Sequence, residues 1–245
     1  MPRIIICAKG GVQDRFPENT LPSIKAAFSS GMSVAVDLRL TIDKQLIVIS
    51  DRTVDRTTNG VGSVNKLSLA EIQKLDAGHW FDKKFIGLRV PSFQQVVAFA
   101  AEYSKVTPAL IVNLKVIAPG TVNLVCNILN QYNLMKRTIG IGLIADSIDI
   151  RRRFTEADPN FSCAAKVNSP KEFQYSLQDP FASAIYSEYS PTSENLKSAN
   201  TTGKTIILNT QEINFFDERE TRINSGVQVV LTNKPSDFIN SNEGT

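Results

Sequence analysis

The chain has 245 residues, of which 42% are hydrophobic and 21% are charged, and its formal net charge at pH 7 is +3. This length and composition are typical of one globular domain, here residues 1–245, with a sizeable core. The small net charge and the short basic run Arg151–Arg153, which is typical of the solvated face of a helix, argue against a nucleic-acid partner.

Short β-branched segments alternate with amphipathic segments along almost the whole chain. The predicted strands are Ile4–Ala8, Val34–Leu40, Leu46–Ile49, Leu110–Leu114, Thr138–Leu143, Cys163–Val167, Ala184–Tyr186, Thr205–Leu208 and Val227–Leu231. The predicted helices are Leu21–Ser30, Ser92–Tyr103, Val122–Tyr132, Ser147–Phe154, Lys171–Ser176, Thr192–Ala199 and Gln211–Asn224. Strands that alternate with helices indicate a parallel sheet with crossover helices. If Leu46–Ile49 is an excursion from the strand before it, about eight βα units remain, which favours an α/β fold of the closed (β/α)8 TIM barrel type over an open sheet.

Local signals mark where some of these helices begin and end. Thr20 predicts a helix start, and Gly31 predicts the C-cap of the same helix. Ser68 and Glu71 have the spacing of a capping box and predict a short helix over Ser68–Leu75. This helix lies in a segment, residues 51–91, that is longer than an ordinary βα loop, so we expect a small insertion after the second barrel strand.

No apolar run approaches the roughly 18 residues of a membrane-spanning helix, so we expect no membrane span. The segment Met1–Ile6 leads directly into a strand and lacks the apolar stretch and cleavage site of a signal peptide. These features predict a cytoplasmic protein. The polar tail Ser236–Thr245 is expected to fray.

Roughly the first 90 residues contain several short motifs in a fixed order. After the first strand come Pro17–Thr20, Thr41–Asp43, Arg56–Gly60, Leu75–Gly78 and Trp80–Phe81. This part of the chain resembles the glycerophosphodiester phosphodiesterase family. The resemblance implies a TIM barrel whose active site lies at the carboxyl ends of the strands. It also implies a phosphodiesterase that uses a divalent metal, held by carboxylates, and two histidines.

The reactive groups that this resemblance implies are replaced. Lys9–Gly11 stands where the family has His-Arg-Gly, and Ala35–Asp37 stands where it has Glu-x-Asp. Ser50–Asp51 takes the place of a His-Asp pair, and Asn113–Lys115 takes the place of Glu-x-Lys. Near the C-terminus, Thr232–Pro235 has an asparagine where the family often has an aspartate. The sequence thus keeps the scaffold and changes the chemistry.

The chain contains one histidine, His79, within Gly78–Phe81. This position lies outside both histidine motifs of the family, so we expect His79 to be a surface or loop residue. A mechanism that needs two histidines is therefore excluded by counting alone.

The carboxylates of the implied metal site are also depleted. Asp37 is retained, but Ala35 and Asn113 stand where the family has glutamates. Because Mg²⁺ and Ca²⁺ generally require more anionic oxygen than this, we expect no metal ligand set and no cofactor. Weak Mg²⁺ or Ca²⁺ binding through Asp37 stays open. The stretch between Gly31 and Asp37 is one residue shorter than the family's spacing, which leaves open whether residue 35 faces the mouth.

Several polar side chains near the predicted mouth survive. On an alternating strand Asn113 and Lys115 share one face, which directs Lys115 toward the mouth. Arg52 is also consistent with a solvated side chain, and Asp51 with a carboxylate that binds turn amides. The candidates for binding a phosphorylated small molecule are Lys9, Glu18, Asp37, Arg52, Asn113 and Lys115.

Lys9 is the replacement with the most chemical interest. It combines an ammonium group with Gly10 and Gly11, whose open backbone can approach an anion. Two interpretations stay open: Lys9 supplies the positive charge of the absent metal, or it fills space by pairing with Asp37 or Asp51.

Three hypotheses of function follow. The first is a non-hydrolytic pseudoenzyme that binds a phosphorylated small molecule, which the polarity of the surviving side chains favours slightly. The second is an enzyme that forms a phosphodiester or transfers a phosphoryl group, of the agrocinopine synthase type. In it Lys9 and Lys115 stabilise phosphate charge, Asp51 or Glu18 moves the proton, and Lys9 and Asp51 are the candidate catalytic residues. The third is a residual phosphodiesterase that works without histidine.

Overall fold

The computed structural model describes residues 4–210 and 226–239. Its parallel strands form a closed barrel, because the first strand pairs with both the second and the last. One further strand, β3, is antiparallel to β2 and lies outside the closed ring. The predicted TIM barrel is confirmed. The strands are β1 (Ile5–Lys9), β2 (Ser33–Leu40), β3 (Leu46–Val48), β4 (Leu110–Leu114), β5 (Thr138–Gly142), β6 (Ser162–Val167), β7 (Ala184–Ser187), β8 (Thr205–Asn209) and β9 (Val229–Thr232).

The α-helices of the described residues are α1 (Leu21–Ser29), α2 (Leu69–Ile72), α3 (Phe93–Tyr103), α4 (Thr121–Gln131), α5 (Leu143–Asp146), α6 (Ile148–Ala157), α7 (Pro170–Leu177), α8 (Ser193–Thr201) and α9 (Ser236–Ile239). Most of the helices connect successive strands and cover the outside of the barrel, whereas α2 lies in the insertion, α5 borders the barrel mouth and α9 follows the last strand. The predicted helix over Gln211–Asn224 lies outside the described residues. Within residues 4–210 and 226–239, no helix is long and apolar enough to cross a bilayer.

The strand side chains alternate between two separate cores. Residues facing outward, such as Val34, Val36 and Leu110, pack against the helices in one large apolar cluster. Residues facing inward, such as Cys7 and Ile111, fill the barrel interior in a second cluster. At the carboxyl ends of the strands the inward-facing residues are polar. Apolar side chains therefore fill the barrel interior, and polar side chains surround its mouth.

The insertion after β3 has a small core of its own. Ile72, Val54 and Val90 are buried there together with Ile47 of β3 and Ile49 just after β3. The predicted capping box is present at the start of α2, although this helix is shorter than the sequence predicted. The chain leaves and re-enters the barrel side by side, because Ile47 forms an antiparallel bridge with Ser92.

One strand bound needs correction. The strand predicted over Thr138–Leu143 ends at Gly142, where a positive φ of 70° turns the chain into α5. The helix start at Thr20 is confirmed, since Thr20 is the N-cap residue of α1; its hydroxyl donates to the carbonyl of Pro17 at 2.7 Å and makes no capping bond. Gly31 ends the same helix with φ 71°, as predicted.

The basic run of α6 is not a uniformly solvated face. Arg151 is buried, and its Nη2 lies 2.5 Å from Asp179 Oδ2. The same guanidinium donates to the carbonyls of Ile144 and Ala145, so it ties α5, α6 and the end of α7 together. Arg152 and Arg153 are exposed, as the sequence predicted.

Candidate functional site

A cavity of about 350 Å³ opens at the carboxyl ends of the barrel strands. Its floor is the apolar interior of the barrel, represented by Ala35, Ile141 and Leu231. Polar side chains from six strands or their ends surround this floor. They are Lys9, Asp37, Asn113, Lys115, Lys166, Tyr186, Glu188 and Asn209, with Asp146 at the end of α5.

Asp37, Asn113 and Lys115 form one hydrogen-bonded group in the first half of the cavity. Asp37 and Asn113 are direct partners in the β2–β4 register, and Asn113 Nδ2 donates to Asp37 Oδ1 at 2.6 Å. Lys115 Nζ lies 3.4 Å from the same carboxylate oxygen. Asp37 is almost fully buried, so its negative charge is compensated by a neighbouring amide and an ammonium group.

A glycine in the β5–α5 turn holds Asn113 in this position. A Cβ atom at Gly142 would lie 2.2 Å from Asn113 Oδ1 and 2.6 Å from the Leu114 carbonyl oxygen. The turn also needs the positive φ that glycine adopts without strain. The backbone of this turn therefore packs directly on the amide that contacts Asp37.

Ala35 faces the cavity, which settles the question of register that its spacing left open. It pairs with Lys9 across the β1–β2 ladder and precedes Asp37 by two residues on the same face. Lys9 is half-buried and lines the cavity. Within the described residues its ammonium group forms no ion pair with Asp37, Asp51 or any other carboxylate.

Glu18 and Asp51 do not line the cavity; both are bound by a third residue, Arg56. The guanidinium of Arg56 donates to both oxygens of Glu18 at 3.0 and 2.8 Å, and its Nε donates to Asp51 Oδ2 at 2.6 Å. This hydrogen bond from Arg56 lowers the pKa of Asp51, and the charge of Lys115 contributes to the same shift. Asp51 is thus a stable carboxylate at the rim of the site.

Arg52 is exposed and does not line the cavity. It lies close to Arg39, whose pKa is lowered by burial and by the charge of Arg52. Arg39 Nε donates to the carbonyl of Ser50 at 2.9 Å, so Arg39 braces the loop in which Ser50 replaces the expected histidine. The solvated interpretation of Arg52 agrees with this position.

The donor set does not fit a divalent cation. Within the described residues, no group of three or more His, Cys, Asp or Glu side chains is placed to hold a metal ion. Asp37 is the one carboxylate in its half of the cavity, and the groups around it, Asn113 Nδ2 and Lys115 Nζ, are hydrogen-bond donors. A hard cation requires several oxygen ligands, whereas this site surrounds its carboxylate with donors.

The second half of the cavity carries a different group of side chains. Lys166 Nζ lies 2.9 Å from Glu188 Oε2, and this hydrogen bond raises the pKa of Lys166. Asn209 Nδ2 donates to the hydroxyl of Tyr186 at 2.9 Å. Burial raises the pKa of Tyr186, and the charge of Glu188 raises it further. Asp146 completes this half at the cavity edge.

Known proteins resemble this chain both in the barrel fold and in the sequence of its N-terminal part. The sequence profile of the glycerophosphoryl diester phosphodiesterase family matches residues 11–147. The chain belongs to this family. Its members include glycerophosphodiester phosphodiesterases of Caldanaerobacter subterraneus, 36% identical over 138 residues, and of Bacillus subtilis, 38% identical over 104 residues. The matched segments cover 56% and 39% of this chain and 57% and 36% of those relatives, so about half or less of each relative is matched.

Solved structures of the family share the whole fold. A glycerophosphodiester phosphodiesterase from Agrobacterium tumefaciens superposes with a TM-score of 0.81 at 24% identity, over 97% of this chain and 99% of that chain. An Oleispira antarctica phosphodiesterase, solved in complex with the product sn-glycerol-3-phosphate, gives a TM-score of 0.79 at 21% identity, over 98% and 97% of the two chains. At these identities the likeness concerns the fold.

The sequence motifs of the family did not identify the second half of the cavity. Lys166, Glu188 and Asn209 lie beyond the matched residues 11–147 and belong to none of the motifs. The alternation of inward-facing and outward-facing residues along each strand was the sequence signal that could have identified these residues. Lys166 follows the inward-facing Ala164 by two residues, and Asn209 follows the inward-facing Ile207 in the same way.

His79 lies in the insertion, as expected for a loop residue. Its side chain is 42% exposed, and its Nδ1 lies 3.7 Å from Asp76 Oδ1. Asp76 mainly organises this loop, since it accepts hydrogen bonds from the backbone amides of Gly78, His79 and Gly87. His79 does not line the cavity.

Proposed function

We propose that this family member binds a phosphorylated small molecule at the barrel mouth and does not hydrolyse phosphodiesters. One observation carries the proposal: Lys9, in place of the family's first motif histidine, and Lys115, a lysine that the family motif also has, both line the cavity, and Asp37 lies on the strand between theirs. Two ammonium groups and one carboxylate give this half a net charge of about +1, which favours an anion.

The groups needed for the family's hydrolysis are missing from the site. The only histidine of the chain, His79, does not line the cavity, and Ser50 takes the place of a second motif histidine. Asp37 accepts a hydrogen bond from Asn113 and is paired with Lys115, and among the described residues no second carboxylate lies beside it to hold a metal. Proton transfer and charge neutralisation by the family's route are therefore both absent.

The molecule bound to a structural neighbour supports a phosphorylated small molecule as the ligand. The Oleispira antarctica phosphodiesterase of the same fold was solved with sn-glycerol-3-phosphate, a phosphorylated small molecule. A barrel mouth that keeps lysines at its strand ends is suited to the same kind of anion, because an ammonium group binds phosphate as a point charge.

A second candidate function is the formation of a phosphodiester in the same cavity, as in agrocinopine synthase. The observation that favours it is the presence of Glu188 and Asp146 in the half of the cavity opposite Lys9 and Lys115. Asp146 would accept the proton of the attacking hydroxyl, the role that the sequence assigned to Asp51 or Glu18. It would return that proton to the alcohol that leaves the phosphorus of a donor phosphodiester, so that one ester bond breaks as the other forms. Arg56 binds both Asp51 and Glu18, and its hydrogen bond lowers the pKa of Asp51, which makes Asp51 a poorer proton acceptor.

The proposal is tested by two measurements on the purified chain. Calorimetry with inorganic phosphate and with glycerol 3-phosphate should show binding, and a ligand at about 100 times its Kd should stabilise the fold by roughly 2.7 kcal/mol. In parallel, glycerophosphocholine should not be turned over with Mg²⁺ or Ca²⁺ present. Turnover that EDTA abolishes would overturn the non-hydrolytic assignment, and turnover that resists EDTA would indicate the third hypothesis, hydrolysis without histidine.

A further inference from the structure

We infer that the half of the cavity formed by β5–β8 is a subsite for hydroxyl groups, so that the ligand is a phosphate ester of a sugar or sugar alcohol larger than glycerol. The inference rests on the proposed function, because it places the phosphate near Lys9 and Lys115. The residues of this hydroxyl subsite are Asp146, Lys166, Tyr186, Glu188 and Asn209.

Adjacent strands place these side chains on one continuous wall. Lys166 and Tyr186 are register partners on β6 and β7, and Tyr186 pairs with Ile207, two residues before Asn209 on the same face of β8. Glu188 follows Tyr186 by two residues, so both point toward the cavity. Three adjacent strands, β6, β7 and β8, therefore present an ammonium, a carboxylate, a phenol and an amide to the cavity.

The charges of this wall argue against a second phosphate. Lys166 is paired with Glu188 at 2.9 Å, and Asp146 is close enough to contribute to the raised pKa of Lys166. One ammonium and two carboxylates leave the hydroxyl subsite with a net charge of about −1, which repels a second anionic group. Mixed donors and acceptors instead match hydroxyl groups, each of which both donates and accepts.

A quaternary ammonium headgroup is also a poor fit. Sites for such cations are built from aromatic faces. Among the described residues that line the cavity, Tyr186 is the one aromatic side chain, and it is buried with its hydroxyl bonded to Asn209. A neutral polyol satisfies the polar groups without needing an aromatic cage.

The size of the cavity requires more than a phosphate. At about 350 Å³ it lies within the range of roughly 300–1,000 Å³ that is typical of small-molecule sites. A phosphate between Lys9 and Lys115 would occupy the first half alone. A polyol attached to it would extend over the hydroxyl subsite.

The inference is tested by comparing ligands that share the phosphate. Calorimetry on the full chain would use inorganic phosphate, glycerol 3-phosphate, glucose 6-phosphate, sorbitol 6-phosphate and free glucose. We expect at least one of the two six-carbon phosphates to bind at least about tenfold more tightly than inorganic phosphate. The affinity for glycerol 3-phosphate should lie between the affinities for inorganic phosphate and for that six-carbon phosphate. Free glucose should bind far more weakly, because it lacks the anion.

A charge-neutral pair of substitutions isolates the hydroxyl contacts. Lys166→Gln combined with Glu188→Gln removes one positive and one negative charge, so the net charge of the cavity is kept. The six-carbon preference, measured as the ratio of the Kd for inorganic phosphate to the Kd for the six-carbon phosphate, should fall about tenfold. The matched control is Arg152→Gln with Asp149→Asn, which removes an exposed ion pair of 3.0 Å on α6, away from the cavity. Tyr186→Phe is a second variant, in case the double substitution impairs folding, and should reduce the preference in the same direction.

Each outcome decides between the two proposals. Equal affinities for inorganic phosphate and both six-carbon phosphates would overturn the hydroxyl subsite and leave the proposed function standing. A six-carbon preference that survives in both the double variant and Tyr186→Phe would also overturn the subsite. No binding of any phosphate, by a folded protein, would overturn the proposed function and this inference with it.

Discussion

The two halves of the barrel mouth have opposite charge balances. The half formed by β1, β2 and β4 presents Lys9, Lys115 and one carboxylate, Asp37. The half formed by β5–β8 presents one lysine, Lys166, and the carboxylates Glu188 and Asp146. The cavity is therefore positive on one side and negative on the other, and this polarity would orient a ligand that is anionic at one end.

The difference teaches how this member departs from its family. In the first half the positions of the family's reactive groups are kept in space, since Ala35, Asp37 and Asn113 still meet on one face. Asp37 is retained, and the chemistry at the other two positions is exchanged. In the second half, Asp146 lies just inside residues 11–147, which the family profile matches, whereas Lys166, Tyr186, Glu188 and Asn209 lie beyond them.

The strongest test of this comparison rebuilds the family's chemistry in the first half. The substitutions Lys9→His, Gly10→Arg, Ala35→Glu, Ser50→His and Asn113→Glu should create Ca²⁺ or Mg²⁺ binding with a Kd of about 1 mM or tighter, worth about 4 kcal/mol. Metal binding should appear before turnover, because catalysis needs geometry held to about 0.5 Å. Calorimetry measures the binding.

The matched control for the rebuilt site carries Ala35→Gln and Asn113→Gln in place of the two glutamates, and it should bind no metal. A rebuilt variant with a native far-UV spectrum and no metal binding would show that Ala35, Asp37 and Asn113 are not placed as the structure indicates.

The next largest effect is expected at the turn that packs on Asn113. Gly142→Ala should destabilise the fold by about 2 kcal/mol or more, because left-handed strain adds to contacts of 2.2 and 2.6 Å with Asn113 and Leu114. Gly203→Ala is the control, since Gly203 has φ 71° and an added Cβ there meets no atom within 4 Å. Urea unfolding compares the two, and equal losses would contradict the packing role of Gly142.

Removal of single charges should separate the two lysines of the first half. Lys115→Met leaves Asp37 without its ammonium partner and should weaken phosphate binding by about tenfold or more, which is about 1.4 kcal/mol. Lys9→Met removes a cation but exposes no carboxylate, so its effect should be smaller. Lys197→Met, on the exposed face of α8, is the control for net charge. Calorimetry with inorganic phosphate gives all three Kd values, and unchanged binding in both cavity variants would contradict the anion site.

The smallest effect concerns the clamp at the rim. Arg56→Gln should lower the free energy of unfolding at pH 7 by about 1 kcal/mol, since Asp51 and Arg56 are 35% and 48% exposed and solvent screens them. The folded-state pKa of Asp51 lies below its ordinary 3.8, so its contribution is present above that pH and is lost as the pH falls through the folded value. The difference between Arg56→Gln and the parent chain should therefore shrink below pH 3.8; a constant difference would assign the stabilisation to packing of Arg56.

Local pattern predicted the barrel well, because each strand is defined by its own residues. The strand Leu110–Leu114 agrees in both bounds, and most others agree within one or two residues. The prediction for Thr138–Leu143 was wrong at its end because a turn set by Gly142 overrides the apolar run that continues into α5. Arg151 was misassigned because its partner, Asp179, lies 28 residues away.

Site residues could be predicted from the sequence only where they belong to a family motif or alternate along a strand. Asn113 and Lys115 share the cavity as alternation predicted. The clamp of Glu18 and Asp51 by Arg56 joins residues 38 and 5 positions apart through side-chain geometry that no local pattern encodes. Whether Lys9 pairs with a carboxylate was left open for the same reason, because the answer depends on how side chains from separate strands meet in three dimensions.

Because Ile47 and Ser92 are paired, the insertion begins and ends at the same place on the barrel. Its two ends meet within one bridge, so the length of chain between them affects only the closure of a loop, at about 0.6 kcal/mol for each doubling. Its interior packs around Ile72 and Val54 without using the main apolar cluster beneath the helices. We therefore expect the segment to be exchangeable in a chimera that keeps the ion pair between Arg56 and Glu18.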